Sequence, residues 1–220
     1  MVMLKLYGFH VSNYFNMVKL ALLEKGFEFE EIRTYPSQEP QFLTISPMGK
    51  VPCLEAREGF ISETSAILEF LEDVTPEVPL MPADPFARAK ARELMKVCEL
   101  YIELPARRLY NGVFFGGSNS QRTVDSVRPQ VEKGMRALGR LVQFNPYLAG
   151  SDFTYADIVA YHTIGPVEKT MQVVYGWSVL GAVSGLQQWY DNVASRPIVA
   201  ELDRSILNER ETFFNQQSGE

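Results

Sequence analysis

Ser46-Pro47-Met48-Gly49-Lys50-Val51-Pro52-Cys53-Leu54, followed by Ser62-Glu63-Thr64-Ser65-Ala66-Ile67-Leu68, is the stretch that decides the fold. Its first half is a turn entering a short apolar strand with a proline inside it. Proline cannot donate to a sheet ladder, so a proline in such a place needs a special reason. A cis bond that exposes neighbouring backbone groups to a ligand is one such reason. The second half is a short polar patch opening an apolar helix, and helix starts attract carboxylates and other anions. Arg57-Glu58-Gly59 lies between the two halves as a hairpin turn.

Upstream, Met3 to Tyr7 reads as a strand, and the loop Gly8 to Asn13 leads into a helix over Tyr14 to Lys25. Phe15, Val18 and Leu22 share one face of that helix, and Gly26 stands where a C-terminal glycine belongs. Phe27 and Phe29 alternate with Glu28 and Glu30 as a second strand. A short helix follows over Glu39 to Ile45. The hairpin pairs Val51–Ala56 with Phe60–Ser62, and a helix closes the half over Thr64 to Asp73. This order predicts a thioredoxin-like domain over 1–76, a mixed four-stranded sheet with helices on both faces.

Thr75 to Pro85 holds four prolines in eleven positions, too many for a helix, so 77–85 reads as a stiff linker. The remainder, 86–220, reads as all helical. A long helix from Phe86 to about Tyr110 should bend near Pro105, and Gly112 to Ser120 is a glycine-rich loop. Val127, Val131, Leu138, Leu141 and Val142 form one apolar stripe; Leu186, Trp189, Tyr190 and Val193 form another. Thr154 and Asp157 have capping-box spacing, with aspartate in the acidic place. The polar tail from Asn208 to Glu220 is expected to fray.

A net charge of -6 argues against nucleic acid or an anionic membrane as the main partner. Two cysteines make no disulfide framework, and two histidines make no zinc cluster. Met1 to Tyr7 is too short an apolar run for a signal peptide. A cytoplasmic, metal-free enzyme is expected.

Taken together, Val51-Pro52, Glu63-Thr64-Ser65-Ala66-Ile67 at this spacing, the linker and the Thr154–Asp157 box resemble the glutathione S-transferase family. The loop Leu6 to Phe15 resembles its serine-type members, theta/delta-like or a related bacterial class. The resemblance implies a transferase that conjugates the thiolate of glutathione to small hydrophobic electrophiles. It implies a two-fold homodimer and an electrophile site against the helical half. Two alternatives share the fold: a non-enzymatic interaction module like the stringent-starvation proteins, and a glutathione-dependent isomerase or dehalogenase.

By that resemblance, Ser12 donates to the glutathione sulfur. A free thiol has a pKa of about 8.5, and a donor aimed at the sulfur favours the thiolate. Tyr7, Asn13 and His10 are the competing positions, and plain N-capping is the structural alternative for Ser12. Serine-type members often continue with proline; here Asn13-Tyr14-Phe15-Asn16 follows, which leaves the class open. Val51 would pair its backbone with the cysteinyl part, Pro52 would present it, and Lys50 would meet the glycine carboxylate. Glu63 would take the γ-glutamyl ammonium and Thr64 the adjacent carboxylate. Cys53 is expected to be a small buried core residue.

Overall fold

The computed structural model describes residues 3–217, and for 210–217 the backbone alone. The chain divides into two compact units, one built from the residues up to Pro79 together with those from Ala194 onward, the other from Leu80–Val193.

The first unit opens with β1 (Leu4–Gly8), α1 (Asn13–Glu24), β2 (Phe29–Arg33) and α2 (Pro40–Leu43). The hairpin β3 (Cys53–Ala56) and β4 (Gly59–Ser62) follows, then α3 (Thr64–Val74). The sheet order is β2-β1-β3-β4, parallel between β1 and β2 and antiparallel elsewhere. Leu6 and Leu54, paired across β1 and β3, are fully buried with Val18 and Leu22 of α1 and Leu68 and Leu71 of α3. The first helix ends as its sequence predicts. Gly26 takes φ 73°, its N–H bonds to Leu23, and the Phe27 N–H reaches back to Leu22. That double bond pattern is a Schellman stop. Strand β3 starts at Cys53, two residues later than expected, so Val51 and Pro52 lie outside the ladder.

The proline-rich stretch is tied down on both sides. The Lys25 ammonium, fully buried, pairs with Glu72 at 3.0 Å and donates to the carbonyls of Thr75 (3.0 Å) and Val78 (2.7 Å). Leu80 and Met81 are buried in the second unit, where the Leu80 carbonyl accepts from Tyr155 N. Asp84 caps the next helix and Pro85 is its first residue.

In the second unit α4 (Pro85–Val97), a π-helical stretch (Cys98–Glu103) and α5 (Leu104–Arg107) form one continuous run. The irregularity falls just ahead of Pro105, whose missing N–H would have bonded to the Tyr101 carbonyl. Gly134 of α7 (Gln121–Leu141) crosses there; a Cβ on it would stand 2.3 Å from that carbonyl. Between them, α6 (Tyr110–Phe114) occupies the start of the predicted glycine-rich loop. At the centre lies α8 (Tyr155–Tyr175), buried on all sides over its first half. Its capping box is present, and Asp157 also accepts from Leu148 N and Trp189 Nε1. α9 (Leu186–Ala194) buries Leu186, Trp189 and Val193.

The last helix departs from expectation. α10 (Pro197–Gln217) belongs to the first unit and continues through most of the tail expected to fray; 218–220 lie outside the described residues. Arg196 grips Glu24 at the end of α1 with Nη2–O distances of 2.8 and 2.9 Å. Glu209 approaches His10, ahead of the start of α1. The helix therefore runs antiparallel to α1, with its start tied to the end of α1 through Arg196–Glu24 and its middle facing the start of α1 through Glu209.

Candidate functional site

Sheet register brings the site together. Tyr7 pairs with Cys53, and Cys53 pairs with Ser62. The C-terminal end of β1, the N-terminal end of β3 and the C-terminal end of β4 therefore share one edge. The Ser12 loop, Val51-Pro52 and Glu63-Thr64 all emerge from it. Two helices, α1 and α3, begin there as well, each turning the positive end of its dipole toward that edge.

Ser12 is the N-cap of α1. Its Oγ accepts from Phe15 N at 3.3 Å, and its own N–H bonds to Phe9 O at 3.0 Å. Capping uses the hydroxyl as acceptor only; the O–H proton remains for a second partner. Both readings of Ser12 thus fit one geometry. Asn13 is buried as the first residue of α1. Tyr7 gives its hydroxyl to Glu55 Oε2 at 2.5 Å. Burial, then the Glu55 hydrogen bond and charge, push its pKa up to about 12.

His10 turns the other way, with Nε2 2.6 Å from Glu31 Oε2 and its ring stacked on Phe15. Burial pushes the Glu31 carboxyl up, but hydrogen bonds from His10 and Lys19 outweigh it and hold the carboxyl below its ordinary range.

Lys50 is exposed at the end of a built turn. The buried Ser46 Oγ donates to Lys50 O (2.7 Å) and accepts from Lys50 N (3.1 Å). Gly49 holds φ 62°, and a Cβ on it would stand 2.1 Å from the Ser37 carbonyl. No side chain but hydrogen fits there. The Val51–Pro52 bond is cis, as expected, and a second cis bond, Asn145–Pro146, gave no sequence signal. Cys53 is buried with its S–H on Ile45 O, and burial, then Glu55, raises its pKa to about 11.

Glu63 is the least ordinary residue of the set. It stands at φ 71°, ψ 116°, and its exposed side chain makes no capping bond to α3. Such a backbone costs about 1–3 kcal/mol, and strain of this kind gathers at ligand sites. Glu63 thus holds the N-cap position of α3 without capping it through its side chain. Thr64 follows, half-buried, as the first residue of α3.

Sequence reasoning missed Ser46, which shapes the Lys50-Val51 backbone, and Asn16, whose buried Nδ2 donates to His10 O at 2.8 Å. Asn16 lies off the Phe15–Val18–Leu22 face, so helical spacing gives no signal for it.

The glutathione S-transferase N-terminal domain model matches residues 6–79 and the C-terminal domain model residues 113–202. A glutathione S-transferase of Pseudomonas putida is 54% identical over 157 residues, 71% of each chain. A zeta-class glutathione S-transferase of Euphorbia esula is 32% identical over 70% of this chain and 72% of its own. A solved glutathione S-transferase from Rhodospirillum rubrum superposes with a TM-score of 0.74 at 28% identity, over 91% of both chains. With the sheet edge, the two helix starts and these relatives in agreement, the chain belongs to the glutathione S-transferase family.

Proposed function

We propose that the protein conjugates the thiolate of glutathione to small hydrophobic electrophiles. The observation that carries this reading is the common edge: the Tyr7–Cys53–Ser62 register supports one ligand site made of three loops and two helix N-termini. Glutathione is an anionic thiol with a carboxylate at each end, and such a site suits it.

In this reading Ser12 donates to the sulfur and, with the start of α1, stabilises the thiolate. Val51 offers its backbone N–H and C=O to the cysteinyl part, and Pro52 shapes the turn that presents them. Lys50 meets the glycine carboxylate. Glu63 takes the ammonium, and Thr64 with its N–H takes the γ-glutamyl carboxylate. The thiolate then attacks the electrophile's carbon, and the leaving group departs or the enolate is protonated by solvent; proximity supplies much of the rate. The roles proposed are glutathione binding for 1–76, a linking stretch for 77–85, and electrophile walls for the part of 86–220 that lies in the second unit, α10 being packed with the first. A homodimer working in the cytoplasm completes the proposal.

Calorimetric titration with glutathione, followed by a screen of aryl halides, enals and peroxides, tests it. Micromolar to millimolar binding with turnover of at least one class is expected. Absence of binding by folded protein would leave the interaction-module alternative in its place.

A further inference from the structure

His10 sits inside the turn that carries Ser12. The Ser12 N–H closes that turn on Phe9 O at 3.0 Å. The His10 ring, 14% exposed, stacks on Phe15 with centroids 5.6 Å apart and planes 28° apart. Phe15 is the residue whose N–H bonds to Ser12 Oγ. Its ring also presses on Gly8, where a Cβ would stand 2.3 Å away. The His10 carbonyl is held by Asn16 at 2.8 Å. Ring and backbone are thus both held by the first turn of α1.

The ring nitrogens face protein. Nε2 lies 2.6 Å from Glu31 Oε2 on β2 and 3.1 Å from Lys19 Nζ on α1, while Lys19 itself donates to Glu31 Oε1 at 2.7 Å. An ionised Glu31 requires Nε2 to carry the proton. Nδ1 is buried and faces Glu209 of α10 at 3.8 Å, and Glu209 is also 3.7 Å from Arg33. Neither nitrogen is directed at the sulfur that Ser12 would meet.

We propose that His10 is a positioning residue: held by Glu31 and packed on Phe15, it fixes the 9–12 turn and so aims the Ser12 hydroxyl. The proposal rests on the reading of Ser12 as the thiolate donor. It gives the cluster of Lys19 on α1, Glu31 on β2 and Glu209 on α10 a purpose in catalysis that surface ion pairs seldom have.

The test follows the absorbance of enzyme-bound glutathione thiolate against pH. His10→Ala should raise the midpoint by roughly half a unit or more, with glutathione affinity within about threefold of wild type and kcat reduced at neutral pH. His10→Gln, which keeps an N–H for Glu31, should bring the midpoint most of the way back to wild type. Glu31→Ala should act like His10→Ala and serves if that variant fails to fold. The double variant His10→Ala/Ser12→Ala should titrate like Ser12→Ala alone, since aiming an absent hydroxyl changes nothing. If Ser12→Ala shifts the curve while His10→Ala and Glu31→Ala overlay wild type, His10 has no positioning role and the Ser12 reading stands. Additive shifts in the double variant also overturn the proposal. If Ser12→Ala itself overlays wild type, the Ser12 reading falls, and the His10 proposal with it.

Discussion

The Tyr7 hydroxyl donates to Glu55 Oε2 at 2.5 Å, diagonally across the β1–β3 pair. Phe60, opposite Glu55 on β4, packs its edge on the Tyr7 ring at 5.9 Å. A phenol bound to a carboxylate, with its pKa raised to about 12, is not a donor for a second anion. Tyr7→Phe should therefore leave the bound-thiolate titration where it is in wild type.

The same pair carries a pH signature. The Tyr7 pKa is higher folded than its ordinary 10.0, so its contribution to stability is complete below 10.0 and is lost as pH rises through about 12. Urea midpoints of wild type should fall over that window more steeply than those of Tyr7→Phe. Parallel curves for the two proteins would contradict the raised pKa.

Asp157 is the polar centre of the second unit. It accepts from Leu148 N, Thr154 N and Trp189 Nε1, each at 2.9 Å, and from Thr154 Oγ1 at 3.0 Å. All four partners donate, so an amide in its place turns an N–H₂ toward a donor. Asp157→Asn should cost about 3 kcal/mol. That corresponds to a fall in Tm on the order of 10 °C. A variant melting within a degree of wild type would show that the box adds little.

Ser12 separates into two roles by choice of substitution. An N-cap serine replaced by alanine loses about 0.5–2 kcal/mol, whereas glycine costs only a few tenths. Ser12→Ala should melt lower than Ser12→Gly. Both should raise the pKa of the bound thiol equally, because both lack the hydroxyl. Glutathione affinity near neutral pH should stay close to wild type in each. A thiolate shift seen in Ser12→Ala but not in Ser12→Gly would mean that the cap, not the hydroxyl, controls the sulfur.

Much of the first unit was legible because its signals are local. The Gly26 stop, the hairpin turn and the proline at 52 each announce a backbone shape that few other residues tolerate. The π-helical stretch before Pro105 was partly legible, since proline reports the break but not the way the helix absorbs it. What stayed hidden depends on partners far apart in the chain. Nothing near Arg196 announces Glu24, 172 residues away, so α10 was assigned to the helical half. His10 reads as a lone loop histidine until Glu31 is brought beside it by the parallel β1–β2 pair. Likewise, Glu63 holds the N-cap position of α3, and only the structure shows that its side chain makes no capping bond and that its φ is 71°.

That backbone sets the final prediction. A glutamate at φ 71°, ψ 116° is strained where glycine would not be. Glu63→Gly should raise stability by about 1 kcal/mol, the relief exceeding glycine's extra freedom when unfolded. A rise of roughly 2–4 °C in Tm is expected. If Glu63 holds the glutathione ammonium, the same variant should bind glutathione roughly ten-fold more weakly or worse. Thr64→Ala, which relieves no strain, should weaken binding by a similar factor through the lost charge-assisted bond. Calorimetric titration beside a thermal melt reads both quantities. A Glu63→Gly protein that is more stable and binds as wild type would mean that the strained glutamate serves something other than this ligand.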